Sequence, residues 1–341
     1  MLTVRNVSND PFYNQAFEEY VYETFRDDDV FLLWKNTPAV VVGSYQNICR
    51  EVHVEALRQR GIPVVRRISG GGTVYHDLGN VNYTYIVCAN GTVDYDAVLS
   101  PVIAALNAIG VPARKNRTCD IAIGDLKISG SAQRMIKGRL LHHGTLLFDT
   151  DLGVLDQITT HRKNDCFQSR STQSAICTVT NIRDHLAAPM TIEEFQTRLL
   201  DQMVPPGCPR LTLTAEQEAE VCRLRDEKYR SWERIFGRSP KFTIDRTGRF
   251  AGGKVQFKLD VQKGHIRDAA VYGDFFSTLD ADTLCAALMG CPYERGAVLA
   301  ALRSHGIDGA VYRISAEELA SVVVDGPNAP EVCRRESSAF H

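Results

Sequence analysis

The chain has 341 residues, of which 44% are hydrophobic and 23% are charged, the usual composition of a soluble globular protein. The 39 Lys and Arg residues nearly balance the 41 Asp and Glu residues, so neither the basic surplus of a nucleic-acid-binding protein nor an acidic partner-binding tail is present. The length suits one large domain and one smaller domain.

Hydrophobic periodicity and turn residues predict the elements of the first 230 residues. Gly61 and Gly110 stand where glycine commonly ends a helix, and we expect Pro101 to mark the first turn of the second of these helices. In chain order the pattern predicts a helix over 14–25, strands on both sides of the turn at 36–38, a helix over 51–61, a strand over 62–67, a half-buried strand over 81–87, a helix over 97–110, a helix over 192–203 that opens with a capping box, and a charged helix over 214–230.

The texture of the sequence changes after about residue 242. A hairpin over 253–275 with a Lys263-Gly264 turn is followed by three apolar helical segments, and the last begins with a capping box from Ser315 to Glu318. We therefore predict a large domain over 1–245, a small α+β domain over 246–330 and a tail over 331–341.

Two bulk features bear on location and chemistry. The N-terminal segment has neither the apolar core of a signal peptide nor a transit-peptide pattern, and no apolar run is long enough to cross a bilayer, so we expect a cytoplasmic protein without a membrane partner. The ten cysteines include no C-x-x-C pair, which excludes a zinc ribbon and a thioredoxin-type motif. Most are expected to be buried apolar residues, and Cys177 stays open as a candidate nucleophile.

The segment "CDIAIGDLKISGSAQR", residues 119–134, predicts a two-residue hairpin turn at Gly124-Asp125, with glycine first. This register pairs Asp120 with Ser129 and places both on one face with Lys127. An amine, a carboxylate and a hydroxyl beside small residues indicate a lined cavity, although an ordinary hairpin with a solvated polar face has the same spacing. Small residues that follow allow a ligand close to the backbone, and Arg134 offers donors suited to carboxylate or phosphate.

The segment "RRISGGGTVYHDLGN", residues 66–80, runs from a predicted strand into three glycines. Such a run can turn successive N–H groups toward one anion, and only one of the adjacent Arg66 and Arg67 can face the same cavity. The segment is neither a Walker A loop nor a dinucleotide fingerprint. A tight bend between strands is the alternative, but the preceding arginine and the following His76-Asp77 pair favour a binding loop.

These two segments, with "HHGTLL" at 142–147, "VVVGSYQN" near the start and "VTNI" at 179–182, resemble the bacterial two-domain lipoate–protein ligases in order and spacing. The resemblance covers nearly the whole chain, because the region after residue 250 is similar to the family's accessory domain. It implies an α/β (α+β) catalytic domain of the biotin/lipoate ligase type, related to class II aminoacyl-tRNA synthetases, plus a small α+β C-terminal domain. The Gly-Arg-Gly-Arg loop of biotin ligases is absent from the sequence.

The activity that the resemblance implies uses ATP, Mg²⁺ and free lipoic acid to form lipoyl-AMP, and then transfers the lipoyl group to a lysine of an acceptor protein. The implied acceptors are lipoyl domains of 2-oxoacid dehydrogenase complexes and the glycine-cleavage H protein. The enzyme itself is expected to be a monomer that binds no nucleic acid.

The resemblance also implies roles for particular residues. Lys127 corresponds to the family's central lysine, which would bridge the carboxyl and phosphoryl oxygens. Asp120 corresponds to an acid near the phosphate or its Mg²⁺, and Val74, Tyr75 and Tyr85 are candidates for an apolar tunnel. The residues implied to bind lipoate, lipoyl-AMP or ATP are Arg67, Ser69, Gly70, Gly71, Gly72, His76, Asn80, Asp120, Ser129, Ala132, Arg134, His143 and Arg170.

The sequence departs from the family pattern at two places. Cys119 stands where the family has Asn, and the loop before "VTNI" has Arg170-Ser171 and Thr178 where the family has Lys-Gly and Arg. Loss of the second basic residue leaves open a transferase that uses only preformed lipoyl-AMP. An octanoyltransferase that acts from octanoyl-acyl carrier protein through Cys177, and a non-catalytic lipoate sensor, are further alternatives.

Overall fold

A computed structural model of the chain describes residues 1–88, 94–117, 119–158, 168–169, 177–275 and 277–325. Two compact units are present. The first unit comprises Met1–Gln46, Arg60–Thr159 and Thr172–Ile235, and the second unit comprises Asn47–Gln59, Thr160–Ser171 and Phe236–His341.

The strands of the described residues lie in three sheets. Their bounds in chain order are β1 Leu2–Val4, β2 Val30–Trp34, β3 Ala39–Val42, β4 Val64–Arg66, β5 Val74–His76, β6 Asn80–Cys88, β7 Arg114–Asn116, β8 Asp120–Ile123, β9 Leu126–Ile136, β10 Arg139–Leu147, β11 Gln168–Ser169, β12 Arg210–Leu211, β13 Phe242–Phe250, β14 Gly253–Gln262 and β15 His265–Gly273.

Helices flank these sheets, and short 3-10 or π-helical turns occur at Ile182–His185, Arg225–Tyr229 and Glu233–Gly237. The α-helices are α1 Pro11–Thr24, α2 Ile48–Glu51, α3 Val54–Gln59, α4 Tyr95–Ala108, α5 Leu152–Ile158, α6 Ile192–Met203, α7 Ala215–Leu224, α8 Ala281–Leu288, α9 Arg295–Ser304 and α10 Ala316–Val324. None of the described helices combines the length and the apolar character that a membrane span requires.

An eight-stranded mixed sheet in the order β12-β1-β2-β6-β10-β9-β8-β7 forms the centre of the first unit. One face packs on α4 and α6 through residues such as Leu99 and Phe195, and the other face packs on α1 and α7 through residues such as Phe17 and Val221. The smaller sheet β4-β3-β5 belongs to the same unit. Because both faces of the large sheet are covered, even the polar face of its central strands is buried.

Strand β6 shows this burial most clearly. Alternation puts Val81, Tyr83 and Tyr85 in the core on the α4 side. The opposite face carries Asn80, Asn82 and Thr84, which are no more than 2% exposed. The predicted strand is confirmed, but the expectation that it is half-buried is wrong, since its polar face is covered rather than solvated.

Helix α4 begins earlier than predicted. Asp94 caps it by accepting hydrogen bonds from the amides of Asp96 and Ala97, so Pro101 lies inside the helix rather than in its first turn. This N-cap was not predicted. Asp94 suits the position because its carboxylate accepts hydrogen bonds from amides that have no partner within the helix. The capping box of Thr191 and Glu194 on α6 is confirmed.

The second unit contains the antiparallel sheet β11-β13-β14-β15 and the helices α8, α9 and α10. The turn between β14 and β15 has Lys263 and Gly264 at φ values of 51° and 73°, as a two-residue hairpin with both central residues left-handed requires. The capping box of Ser315 on α10 is also confirmed. The predicted domain limit at residue 245 falls within β13, which the sequence pattern had not indicated.

Candidate active site

A cavity of about 300 Å³ lies in the first unit, on the α1 side of the large sheet. Its walls come from α1, from β2, β6, β8, β9 and β10 of the large sheet, and from β3, β5 and the glycine-rich segment of the small sheet. Among the predicted binding residues, those that line this cavity are Arg67, Gly71, Gly72, His76, Asp120, Lys127, Ala132 and His143.

The charged end of the cavity is formed by the hairpin of β8 and β9. The turn glycine, Gly124, has a φ of 55°, and the pairs of Ile123 with Leu126 and Ala122 with Lys127 follow the predicted register. Lys127 Nζ lies 2.8 Å from Asp120 Oδ1, and the Asp120 side chain is only 7% exposed. The prediction that an amine and a carboxylate share one lined cavity is therefore confirmed.

A β-bulge changes the register beyond this point. Ile121 pairs with Ser129 and Asp120 pairs with Gly130, because β9 has one extra residue opposite β8. Ser129 consequently turns to the other face, where it is fully buried. The predicted pairing of Asp120 with Ser129 is wrong, and Ser129 does not line the cavity.

The backbone of Lys127 is held by the segment from Thr178 to Thr180. Its amide donates to Thr178 O and its carbonyl accepts from Thr180 N, each at 3.0 Å, in a parallel bridge with Val179. Arg170 lies outside the described residues. Thr178, one of the departures from the family pattern, thus positions the lysine through its main chain.

Arg67 and the glycine segment form one hydrogen-bonded wall. Arg67 Nη2 donates to the carbonyls of Gly70 and Gly72 at 2.6 Å, Nη1 donates to Val41 O at 3.1 Å and Nε donates to Ser69 Oγ at 3.0 Å. Burial lowers the pKa of Arg67 to about 10. Arg67 therefore fixes the loop by binding its carbonyls, whereas we expected the loop amides to gather an anion. Arg66 points away and donates to Gly43 O and Ile235 O, as expected for the neighbouring strand position.

His143 belongs to a buried network that includes a residue missed in the sequence. Its Nε2 lies 2.6 Å from Ser69 Oγ, and its Nδ1 lies 2.9 Å from Glu18 Oε1. Thr84 donates to the same carboxylate at 2.7 Å, and Trp34 Nε1 donates to Thr84 Oγ1 at 3.0 Å. Ser69 thus supports the cavity wall from behind His143. The sequence placed Glu18 on a helix but did not predict its role, because nothing in "NQAFEEY" shows that one glutamate faces the sheet.

His76 lines the cavity, as do Trp34, Val41 and Val74. Its ring packs edge-on to Trp34 with centroids 5.9 Å apart, and its Nδ1 lies 3.0 Å from Asn36 Nδ2. Burial, with the nearby charges of Arg67 and His143, lowers the pKa of His76 to about 3. The imidazole is therefore neutral at ordinary pH.

Other cavity residues were not singled out in the sequence. Gln15 comes from α1, Asn82 and Thr145 are paired neighbours on β6 and β10, and Gly144 is buried against Tyr83. The alternation of β6 and β10 would have found Asn82 and Thr145 once one face was known to be covered. The remaining unpredicted lining residues are Trp34, Val41, Thr73, Arg117 and Cys119. Gly130 and Ser131, two of the small residues expected to let a ligand approach the backbone, also line the cavity.

Several predicted residues lie near the cavity without lining it. Asn80 is fully buried and donates to Asn82, and Arg134 donates to Ile68 O. Of the tunnel candidates, Val74 lines the cavity, whereas Tyr75 is buried elsewhere and Tyr85 packs against Phe31 in the α4-side core. The other predicted residues outside the lining are Ser69, Gly70 and Ser129.

Two cysteines lie at the charged end. Cys119 lines the cavity, and Cys177 Sγ accepts a hydrogen bond of 3.1 Å from Arg117, which also lines it. Burial and the Asp120 charge raise the pKa of the Cys119 thiol, so this cysteine is protonated rather than reactive. Within the described part of the chain, no group of three His, Cys, Asp or Glu side chains is arranged to hold a metal ion without other ligands.

Comparison with known proteins agrees with this architecture. Residues 10–204 match the lipoyl protein ligase A/B catalytic domain family, and residues 239–323 match the bacterial lipoate protein ligase C-terminus. The chain is 36% identical over 308 residues to the lipoate-protein ligase LplJ of Bacillus subtilis (strain 168), which covers 87% of this chain and 92% of that protein.

Solved structures show the same fold. A putative lipoate protein ligase from T. acidophilum with bound lipoic acid is 25% identical, has a TM-score of 0.58, and covers 69% of this chain and 98% of that chain. A bi-partite lipoate protein ligase, studied with its E2 lipoyl domain from Thermoplasma acidophilum, is 23% identical and has a TM-score of 0.59. The match covers 69% of this chain and 95% of that chain. The family matches, the extent of identity and the cavity built on Lys127 and Asp120 lead to one conclusion: this chain belongs to the lipoate–protein ligases, a family of enzymes.

Proposed function

We propose that this protein uses ATP to activate free lipoate to lipoyl-AMP and transfers the lipoyl group to a lysine of lipoyl-domain proteins. The observation that carries the proposal is the ion pair of Lys127 and Asp120 on β9 and β8, in a cavity that is lined by Trp34 on β2, three strands from β9, and by Val41 and Val74 of the small sheet. A carboxylic acid with an apolar tail matches this cavity, because its carboxylate suits the ion pair and its tail suits the apolar side chains.

Activation joins two anions, and the charged end suits this step. The lipoate carboxylate oxygen attacks the α-phosphorus of ATP, the bond from that phosphorus to the bridging oxygen breaks, and pyrophosphate leaves. The ammonium of Lys127 and the guanidinium of Arg117 would offset the negative charge that gathers there. Lysine suits this role because its compact charge can contact several oxygens in turn.

The same end of the cavity fits a Mg²⁺ ion that arrives with ATP. Asp120 lines the cavity with its carboxylate. Its Oδ1 accepts a hydrogen bond from Lys127, and its other carboxylate oxygen, Oδ2, would be the ligand of the ion. Mg²⁺ is commonly held by one or two carboxylates together with substrate phosphates. Mg²⁺ bound in this way would neutralise phosphate charge.

Transfer requires positioning and no enzyme nucleophile, because the mixed anhydride is already activated. The neutral amine of the acceptor lysine attacks the lipoyl carbonyl, the amide bond forms, AMP leaves, and the amine loses its proton. The E2 lipoyl domain named with the archaeal relative supports lipoyl domains as acceptors. We further propose that the acceptors are the lipoyl domains of 2-oxoacid dehydrogenase complexes and the glycine-cleavage H protein. We also propose that the enzyme is a monomer in the cytoplasm.

Octanoyl transfer through Cys177 is a second candidate. The observation in its favour is the guanidinium of Arg117, which donates to Cys177 Sγ at 3.1 Å and also lines the cavity. Cys177 itself is not a lining residue of the cavity. Replacement Cys177→Ser therefore separates the two routes, since it would eliminate transfer through a thioester and leave ATP-dependent transfer in place.

The test of the proposal is the intact mass of a purified apo lipoyl domain after incubation with this protein, lipoate and Mg²⁺, with and without ATP. We expect the lipoyl domain to gain the mass of a lipoyl group only when ATP is present together with lipoate and Mg²⁺. No gain with ATP, but gain with synthetic lipoyl-AMP, would make the protein a transferase without activation. If instead the lipoyl domain gains an octanoyl mass from octanoyl-acyl carrier protein, and Cys177→Ser abolishes this gain, the thioester route is supported.

A further inference from the structure

One polar atom of the cavity has no role in the steps above. His76 is 3% exposed, lines the cavity, and its Nε2 has no hydrogen-bond partner among the residues that the structure describes. A buried polar atom without a partner is costly, so such atoms often mark a place where a ligand completes the hydrogen bonding.

Neighbouring amides determine which ring nitrogen carries the proton. Asn14 Nδ2 donates to the backbone carbonyl of Lys35 at 2.7 Å, and because a carbonyl can only accept, this contact fixes the orientation of the Asn14 amide. The same Nδ2 lies 2.8 Å from Asn36, which must therefore present its oxygen to Asn14 and its Nδ2 to His76. Nδ1 of His76 is consequently an acceptor.

The hydrogen of the neutral ring then lies on Nε2. Burial together with the charge of Arg67 keeps the imidazole uncharged, so the ring has one N–H and not two. Nε2 is thus a hydrogen-bond donor that lies in the wall of the cavity. A ligand that meets it needs an acceptor atom at that position.

Strand order shows which part of a substrate reaches this donor. His76 packs on Trp34 of β2, whereas Lys127 belongs to β9, where its Nζ would lie 2.9 Å from a Cβ added at Gly130. Along the order β2-β6-β10-β9 these strands are three spacings apart, or about 14 Å. A lipoate whose carboxyl group is at Lys127 therefore extends its dithiolane ring toward His76.

We infer that His76 selects lipoate over octanoate by donating a hydrogen bond from Nε2 to a dithiolane sulfur. The inference rests on the proposed function, since it takes Lys127 as the carboxyl-binding end. Octanoate has the same eight-carbon chain but no sulfur, so it leaves the donor without a partner. Divalent sulfur is a weak acceptor, and the discrimination from this single contact is about tenfold in kcat/KM.

Two replacements of His76 separate the donor from the rest of the ring. His76→Asn keeps a polar atom near the position of Nδ1 for Asn36 and removes the Nε2 donor. His76→Gln extends an amide toward the position of Nε2 and can keep the donor. The measurement is pyrophosphate release with ATP and either lipoate or octanoate, from which the ratio of kcat/KM values is taken for each protein. Thermal unfolding of all three proteins checks the fold.

We expect wild type and His76→Gln to prefer lipoate, and His76→Asn to lose about tenfold of the preference, mainly through slower use of lipoate. An unchanged ratio in His76→Asn, or a wild type that uses both acids equally, overturns the inference while leaving the ligase function intact. If wild type releases pyrophosphate with neither acid, the activation proposal fails. The same ratio is then measured from calorimetric binding of the two acids alone, where equal affinities would overturn the inference.

Discussion

Lys127 Nζ lies 2.8 Å from Asp120 Oδ1 because a bulge in β9 puts Gly130, and not Ser129, opposite the carboxylate. A Cβ on residue 130 would lie 2.9 Å from the lysine nitrogen. The ion pair and the space around it thus depend on one extra residue in the strand and on one missing side chain.

Lys127→Ala should reduce lipoate-dependent pyrophosphate release by at least about 100-fold, because it removes a charge directed at the reacting oxygens. The fold should persist, since the lysine side chain is 24% exposed and its backbone bonds to Thr178 and Thr180 do not need the side chain. Circular dichroism of the variant provides the control. Near-normal pyrophosphate release would remove Lys127 from the mechanism.

Gly130→Ala should lower activation with little change in stability. The added Cβ meets the end of a flexible side chain, so Lys127 Nζ can move away, but it then leaves the position beside Asp120. We expect about a tenfold or larger decrease in kcat for pyrophosphate release and an unfolding free energy within about 1 kcal/mol of wild type. Unchanged kcat would mean that the lysine position tolerates displacement.

Gly70 and Gly71 offer a matched comparison within the glycine run. Gly71 has a φ of 83°, and a Cβ there would lie 3.0 Å from Arg67 Nη2, so Gly71→Ala should lower the unfolding free energy by about 2 kcal/mol. Gly70 is not in the left-handed region, and its Cβ would make an ordinary 3.6 Å contact with Tyr45. Gly70→Ala should therefore change the unfolding free energy by less than about 0.5 kcal/mol. Equal effects in urea denaturation would contradict this assignment.

Arg67→Lys should destabilise the protein although the charge is kept. The guanidinium fork serves the carbonyls of Val41, Gly70 and Gly72, and a lysine ammonium does not reproduce that fixed geometry in a buried site. We expect a loss of about 2–4 kcal/mol in unfolding free energy and a raised KM for lipoate. Arg26→Lys is the control, because the Arg26 side chain is 63% exposed, and it should behave as wild type.

Acid should destabilise the fold through its buried neutral histidines. Burial lowers the pKa of both His76 and His142 to about 3, below the ordinary value of about 6.5 that applies in the unfolded chain. The unfolded state therefore binds more protons, and each histidine contributes stability that is fully present above about pH 6.5 and is lost as the pH falls toward 3. The slope approaches about 1.4 kcal/mol per pH unit for each histidine.

Urea denaturation between pH 7 and pH 5 measures this loss. His142 does not line the cavity, and its Nδ1 lies 2.8 Å from Gln133 Nε2, so His142→Asn removes one titrating group while it keeps a polar neighbour for Gln133. The variant should lose less stability than wild type over the same pH range. Identical pH slopes would show that His142 is not neutral in the native state.

The sequence predicted most helices of the first unit, the hairpin of the second unit, and the amine and carboxylate that share the cavity. Alternating isoleucines and a Gly-Asp turn predicted the hairpin that presents Lys127, and this hairpin is local in sequence. The bulge was not predictable in the same way, because "DLKISGSAQ" fits two registers that differ by one residue. The position of Ser129 depended on that choice.

Contacts distant in sequence could not be read from local patterns. Glu18 approaches His143 across 125 positions, and Asn82 faces the cavity only because α1 and the small sheet cover that side of β6. Polar residues on a strand usually face solvent, so a buried polar face is recognised only when its cover is known. Arg67 was placed correctly, but its donors are used by the carbonyls of its own loop.

The amide chain beside His76 extends to the N-terminal segment, where Asn6 Nδ2 donates to Asn14 Oδ1 at 2.9 Å. Asn14 in turn orients Asn36, so the proton position on a cavity imidazole is linked to a residue between the first strand and the first helix. If His76 selects the acid as inferred above, a replacement of Asn6 bears on substrate preference although Asn6 itself does not line the cavity.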